Sequence, residues 1–302
     1  MVVLAEEDDR MATETLRAVP SRIVLATDFT ARCDRAQDRA VQLAILWNAG
    51  LTAVHALTDI PLTDDTAVRD AYRNAAQRNA ANLREELACV EGLRYSVVVE
   101  EGAVDEVVLD VVRRERADVI VTGIARSGLL AQAFVGSSVT ALARKSPVPV
   151  LVVKKKVLDT DERVVVATDM SEASKGALAT ALKWFSLRKL VLFHAFNPPY
   201  RGIVDDKAGY DEQFERTAVA ETRDFLDNVA GADAATKFEI IARQGDPVRG
   251  LEVLSNEAAT DLVVAGTHGR SGLMHALVGS VATRILESVA SDVLVVPLSG
   301  RS

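Results

Sequence analysis

The chain has 302 residues, 49% of them hydrophobic and 26% charged, with a formal net charge of −8; this is the make-up of a soluble globular protein of about two domains. That charge argues against a general binder of nucleic-acid backbones, which needs a basic face, while one small phosphorylated ligand needs only local donors. No apolar run approaches the ~20 residues of a membrane span, no secretory leader opens the chain, and Cys33 and Cys89 make neither a metal spacing nor a disulfide framework, so a cytoplasmic protein with no membrane or nucleic-acid partner is expected.

In chain order, residues 1–20 come first. Glu6, Glu7, Asp8, Asp9 and Glu14 stand against Arg10 and Arg17, which implies a loosely packed acidic arm. Met1 and Met11 both stand open as the start. Beyond the arm the sequence repeats itself. Arg22–Thr30 (RIVLATDFT) recurs as Arg163–Ser171 (RVVVATDMS), and Leu51–Leu57 recurs as Leu190–Phe196. Ala117–Gly123 recurs as Thr260–Gly266, and Phe134–Val153 as Leu277–Pro297. Asp28 and Asp169 are 141 positions apart, and Gly123 and Gly266 are 143 apart. A solenoid repeat runs roughly 20–50 residues, so this is a duplicated domain. The reading divides the chain into an arm (1–20), a first domain (21–154), a linker (155–161) and a second domain (162–302). The run Lys154–Lys156 is taken as solvated.

The second half shows the elements most clearly. Arg163–Thr168 predicts a strand and Ser171–Ser186 a helix, with Ser171 as its N-cap. Leu190–Phe196 predicts a strand without polar alternation, as when both faces are covered. A long polar helix follows over Asp206–Val229, then a strand over Lys237–Arg243. Pro247–Ala258 predicts a helix with Pro in its first turn. Leu262–Ala265 is a buried strand, Ser280–Ser288 a helix and Val293–Val296 the last strand. The first half gives the same series, ending on Val148–Val153. These last strands are short and apolar, and they are expected at the sheet edge, where edges invite pairing. Five strands with intervening helices make an open parallel α/β sheet with helices on both faces. Such sheets bind ligands outside the carboxyl ends of their strands, at a switch point.

Two strand ends carry unusual chemistry. The first is Thr168-Asp169, repeated as Thr27-Asp28. An Asp there caps the next helix, or accepts from ribose hydroxyls or a base amino group; alone, capping is the simpler reading. The second is Gly266-Thr-His-Gly269-Arg270-Ser-Gly272, followed by Gly279-Ser280. Glycines after a buried strand let backbone approach a ligand. The helix opened by Gly279-Ser280 presents unpaired amides and the positive end of its dipole, an anion site. The spacing Gly-x2-Gly-x9-Gly-Ser is more restrictive than a lone glycine turn. It is neither a Walker A loop, which needs Gly-Lys-[Ser/Thr], nor a dinucleotide fingerprint, which follows the first strand.

The Thr-Asp pair, the histidines His55 and His194 in the second strands and this glycine motif together resemble the universal stress protein family, over almost the whole chain past residue 20. The resemblance implies two tandem doubly wound (Rossmann-like) domains, each a sheet of order 3-2-1-4-5. It implies that the second domain binds an adenine nucleotide (ATP, ADP or AMP). Asp169 would meet ribose or adenine, Ala167 and Thr168 would line that pocket, and Ala195 would offer backbone to the adenine edge. Gly266, His268, Gly269 and Arg270 would surround ribose and phosphates. Gly279, Ser280, Val281 and Ala282 would hold phosphates, with Mg2+ arriving on the nucleotide. It also implies dimer contacts through the last strand, which in a tandem chain become an intramolecular pseudo-dimer, with a homodimer also open.

The first half departs from the motif. Gly123-Ile-Ala-Arg126-Ser-Gly128 lacks the middle glycine at its spacing, although Asp28, Gly136 and Ser137 remain. Its site is expected to be weak or empty. His55 and His194 are expected in the core, His275 on the surface or in loop packing, and Trp47 and Trp184 in packing. Four dispersed histidines support no metal site, and no Gly-x-Ser-x-Gly nucleophile elbow is present. No catalytic residue is assigned. Beside a nucleotide-binding stress or signalling protein, two alternatives stand: a slow ATP hydrolase, without a Walker lysine, and a non-binding interaction scaffold. Gly269→Arg, which copies the first half, is expected to abolish nucleotide binding in a calorimetric titration; wild-type affinity would contradict the defect assigned to the first loop.

Overall fold

The computed structural model describes residues 19–58, 60, 65–124, 136–156, 163–186, 188–231, 235–257, 260–267 and 279–298. The arm up to residue 18, positions 157–161 of the linker and both glycine loops (125–135 and 268–278) lie outside the described residues. Contacts divide the chain into two compact units, Met1–Gly123 and Ile124–Ser302.

In the first unit the elements run β1 (Arg22–Ala26), α1 (Asp34–Leu46), β2 (Gly50–Leu57), α2 (Thr66–Ala88), β3 (Arg94–Glu101), α3 (Val104–Glu115) and β4 (Val119–Gly123). β1 pairs in parallel with β2 and β4, and β2 with β3, giving the order β3-β2-β1-β4. Ile23, Val24, Leu25, Ile120 and Val121 are all but inaccessible, as a strand covered on both faces must be. α3 sets Val107, Val108, Val111 and Val112 against the sheet. Asp105 and Glu106 open it and Arg113 and Arg114 close it, charges that suit the two ends of its dipole.

The second unit contains α4 (Ser137–Lys145), β5 (Val150–Val153), β6 (Arg163–Thr168), α5 (Glu172–Trp184), β7 (Lys189–Phe196), α6 (Lys207–Ala230), β8 (Phe238–Gln244), α7 (Pro247–Glu257), β9 (Leu262–Gly266), α8 (Ser280–Ser288) and β10 (Asp292–Val296). β6 pairs in parallel with β7 and β9, β7 with β8, and β9 with β10. β10 also pairs antiparallel with β5, so it is not a sheet edge. β5 begins two residues later than expected. Pro147 and Pro149 cannot donate to a ladder, and the Val148 N–H donates to Ser146 Oγ at 3.1 Å instead. Helices α5 and α6 each start one residue after the expected position. Ser171 Oγ accepts from Ser174 N–H (3.3 Å), the N-cap expected of it, and Asp206 Oδ1 accepts from Gly209 N–H (2.9 Å), which makes Asp206 a cap rather than a first helical residue. Trp47 follows the last turn of α1 and Trp184 ends α5, both half-buried.

The lysine run is not solvated at its start. Lys154 is 5% exposed. Its Nζ donates to the carbonyls of Leu286 (2.6 Å) and Val289 (2.5 Å), at the C-terminal end of α8. The backbone N–H groups of Lys154 and Lys155 both donate to Asp292 Oδ1, at 2.8 and 2.9 Å. Lys155 Nζ reaches the Thr260 carbonyl at 2.5 Å. The physical reason is local supply and demand: helix-end carbonyls lack intrahelical donors, and a cation suits a helix C-terminus.

Burial pulls the Lys154 ammonium down to about 8, against the opposing charge of Asp292. An unfolded lysine titrates near 10.4. Between these values the unfolded chain carries a proton that the folded chain has released, so this group's contribution to stability grows as pH rises from 8 towards 10.4. The stability difference between wild type and Lys154→Met, from urea unfolding, is expected to move in favour of wild type by up to ~3 kcal/mol over that window. A difference that does not change with pH would contradict the assignment.

Candidate functional site

β6 and β9 are neighbours, yet β6 leads on to β7 on one side and β9 to β10 on the other. Their carboxyl ends therefore mark the switch point of this sheet. At the end of β6 the chain makes a tight turn. Met170 has φ +62°, an uncommon value for a side-chain-bearing residue that surrounding contacts must hold. The Met170 N–H donates to Thr168 Oγ1 at 2.9 Å. Asp169 Oδ1 accepts from Ser174 Oγ at 2.6 Å and from the Ser171 N–H at 3.1 Å, and the Asp169 N–H donates to Ser174 Oγ at 3.1 Å. Asp169 is thus fixed against the first turn of α5, while Ser171 is the formal cap. His194 is 8% exposed, and its Nδ1 donates to the Thr168 carbonyl at 2.9 Å. It holds the strand end from below, which fits a core histidine.

The opposite wall is built around Gly266 and Gly279. A Cβ on Gly266 would lie 2.7 Å from the Ala173 carbonyl oxygen and 2.9 Å from the Ala173 Cβ. A close approach at Gly266 is therefore made by α5, while Gly266 also lines the cleft. The Gly279 N–H donates to the Thr267 carbonyl at 2.7 Å, tying the start of α8 to the end of β9. The cap, Gly279, has no side chain to take the first amides of α8.

Between these walls lies a cleft of about 180 Å³. Ala167, Thr168 and Asp169 line it from β6 and its turn, Ala195 from β7, Gly266 from β9, and Gly279, Ser280, Val281 and Ala282 from the start of α8. These nine were singled out in the sequence. His268, Gly269 and Arg270 lie outside the described residues, as does His275. Six further lining residues were missed: Ser174, Phe193, Pro247, Ala265, Thr267 and Ile285. Phe193 lies two positions before Ala195 on the same strand face, and Ile285 one turn beyond Val281, so strand and helix periods could have found both. No sequence signal points to Pro247. The lining combines Phe193, Pro247 and Ile285, apolar surface for a flat ring, with a fixed carboxylate, hydroxyls and helix-start amides.

The first repeat has the same turn with different chemistry. Phe29 has φ +59°, and its N–H donates to Thr27 Oγ1 at 3.0 Å. Asp28 Oδ1 accepts from Thr30 N–H (2.8 Å) and Thr30 Oγ1 (2.7 Å). Burial pulls the Asp28 carboxyl up, but the Thr30 hydroxyl and amide, then Cys33 and Arg32, outweigh it and hold it below its ordinary value. Cys33 stands at the place of Ser174, taking the Asp28 N–H at 3.5 Å. Burial pushes its thiol up to about 11. Gly123 ends β4, and a Cβ there would meet its nearest atom, the Arg32 carbonyl oxygen, at 3.3 Å. Gly136 caps α4 and Ser137 opens it. Among the described residues no group of three or more His, Cys, Asp or Glu could hold a metal, and no helix is long and apolar enough to cross a membrane.

The molecule is thus a tandem α/β protein with one cleft at the switch point of its second repeat. The model of the universal stress protein family matches residues 20–154 and again 162–297, and the chain belongs to that family, as a two-domain member. A universal stress protein of Mycolicibacterium smegmatis is 25% identical over 294 residues, covering 91% of this chain and 96% of its own. A solved Pseudomonas aeruginosa protein of unknown function is 20% identical, covers 94% of both chains and has a TM-score of 0.66. A universal stress protein solved in complex with cAMP is 28% identical, covers 46% of this chain and 98% of its own, and has a TM-score of 0.34.

Gly266→Ala is expected to cost about 1–3 kcal/mol in urea unfolding, because the new methyl meets backbone. Gly123→Ala, with 3.3 Å to its nearest atom, is expected to cost less. Equal costs would contradict the role given to Gly266.

Proposed function

We propose that the second repeat is the receptor for an adenine nucleotide, and that the chain serves stress response or signalling by binding it. The observation that carries this reading is the shared cleft: Asp169, fixed by Ser174 and Ser171, and the glycine-capped start of α8 line one cavity. Asp169 is suited to ribose hydroxyls, the backbone at Ala195 to the adenine edge, and the amides from Gly279 to Ala282 with the Ser280 hydroxyl to phosphates. His268, Gly269 and Arg270 complete the site in this reading, and Mg2+ enters with the phosphates. Beyond Asp169 and His268 the motif offers no general base, and it has no Walker lysine, so binding is preferred to hydrolysis.

The first repeat is the structural partner in this account. It keeps Asp28, Gly123, Gly136 and Ser137, but Cys33 replaces Ser174 and its loop lacks the middle glycine. Its last strand, β5, pairs with β10, which supports reading the pairing as an intramolecular counterpart of a dimer contact.

The test begins with native protein that is denatured so that any released nucleotide can be identified, followed by calorimetric titration of ATP, ADP, AMP and cAMP. One adenine nucleotide per chain is expected, with binding lost in Gly279→Val, whose side chain would crowd the helix start. No carried nucleotide and no binding heat would overturn the reading. Phosphate release above that of the Gly279→Val variant would favour a hydrolase instead.

A further inference from the structure

Helix α8 joins two features that the sequence keeps far apart. Its first turn forms one wall of the cleft, and its last carbonyls hold the buried ammonium of Lys154. Nine residues at about 1.5 Å each put roughly 13 Å between those ends. The axis is aligned for an anion: amides and the positive pole face the cleft, and a cation sits at the negative pole. The inner face of α8 between them, Ala282, Ile285 and Leu286, is at most 5% exposed, so solvent screens the pair only from the outer face, where Arg284 and Glu287 lie.

We propose that Lys154 is a distal electrostatic determinant of the second-repeat site, strengthening its hold on phosphate through α8 without touching the ligand. The inference rests on the nucleotide reading given above. A buried unit charge at that separation, in an effective dielectric near 20, changes the affinity for a neighbouring unit anion by about eightfold. The effect depends on protonation, and Lys154 titrates at about 8, within reach of ordinary buffers. Reciprocity then requires that phosphate binding raise its proton affinity.

Other charges surround the ammonium. Asp292 faces it from β10 and accepts the Lys154 and Lys155 amides. Lys155 lies 3.9 Å from Asp261, before β9, and Asp261 accepts from the Arg163 N–H at the start of β6. Glu287 is exposed on α8, and Lys156 follows in the chain. All of these persist in a Lys154→Met variant, which therefore isolates the one group.

The experiment titrates the full chain with ADP and, separately, with adenosine, near pH 7 and near pH 9.5. Wild type is expected to lose about eightfold in ADP affinity between the two and to keep its adenosine affinity. Lys154→Met is expected to bind ADP about eightfold more weakly near pH 7, with no dependence on pH and unchanged adenosine binding. Lys154→Arg, which stays charged, is expected to keep tight ADP binding at both. Equal weakening of ADP and adenosine would show a merely structural role and overturn the proposal, as would wild-type ADP binding in Lys154→Met. If a variant fails to fold, the wild-type contrast between ADP and adenosine across pH decides alone. Absence of both ligands from wild type would overturn the nucleotide reading and this inference with it; binding that ignores pH overturns only the inference.

Discussion

The first turn of α5 rests on the end of β9 so closely that no side chain fits at Gly266. Much of the site follows from that contact. It sets the start of α5 beside the switch point, where Ser174 can both give to and take from Asp169. It keeps the ends of β6 and β9 level, so that the Thr267 carbonyl can take the Gly279 amide and place the start of α8 across the cleft. The glycine acts first on helix packing, and through packing on the site. The same arrangement explains why Asp169 is a cap-like residue and a candidate ligand contact at once: the hydrogen bonds that fix it are the ones that pre-organise it.

Electrostatics adds a second layer. Against a net charge of −8, the second repeat offers the glycine-capped start of α8 and, at the other end of the same helix, the buried ammonium of Lys154. The lysine comes from the segment that closes the first family match, so a chain stretch outside the second repeat completes a helix inside it. The two repeats are unequal in detail as well. Where the second places a serine hydroxyl against its aspartate, the first places a thiol, a weak acceptor, and Thr30 takes over the carboxylate.

Much of this was legible in the sequence, for identifiable reasons. Strands covered on both faces are unbroken apolar runs, so Arg163–Thr168 and Leu262–Ala265 could be seen in one dimension, and the duplication made each half a check on the other. Thr168-Asp169 and Gly279-Ser280 stood out because they end a strand and open a helix. The rest depended on contacts that sequence distance hides. Lys154 looked solvated because its partners, Leu286 and Val289, lie 132 and 135 positions away. The contact of Gly266 with Ala173 leaves no mark in the sequence, because the two lie 93 positions apart. Phe193 looked like plain core, and Ser174 like the interior of a helix start; each needed the cleft to give it a role.

The most direct measurement of the central claim is hydrogen exchange of the backbone amides, with and without saturating ADP, read by mass spectrometry on short peptides. The account predicts slowed exchange in the segments that carry Asp169 and the stretch from Gly279 to Ala282, with the matching segments around Asp28 and Ser137 unchanged. Protection of the first-repeat segments alone, or of neither, would contradict it.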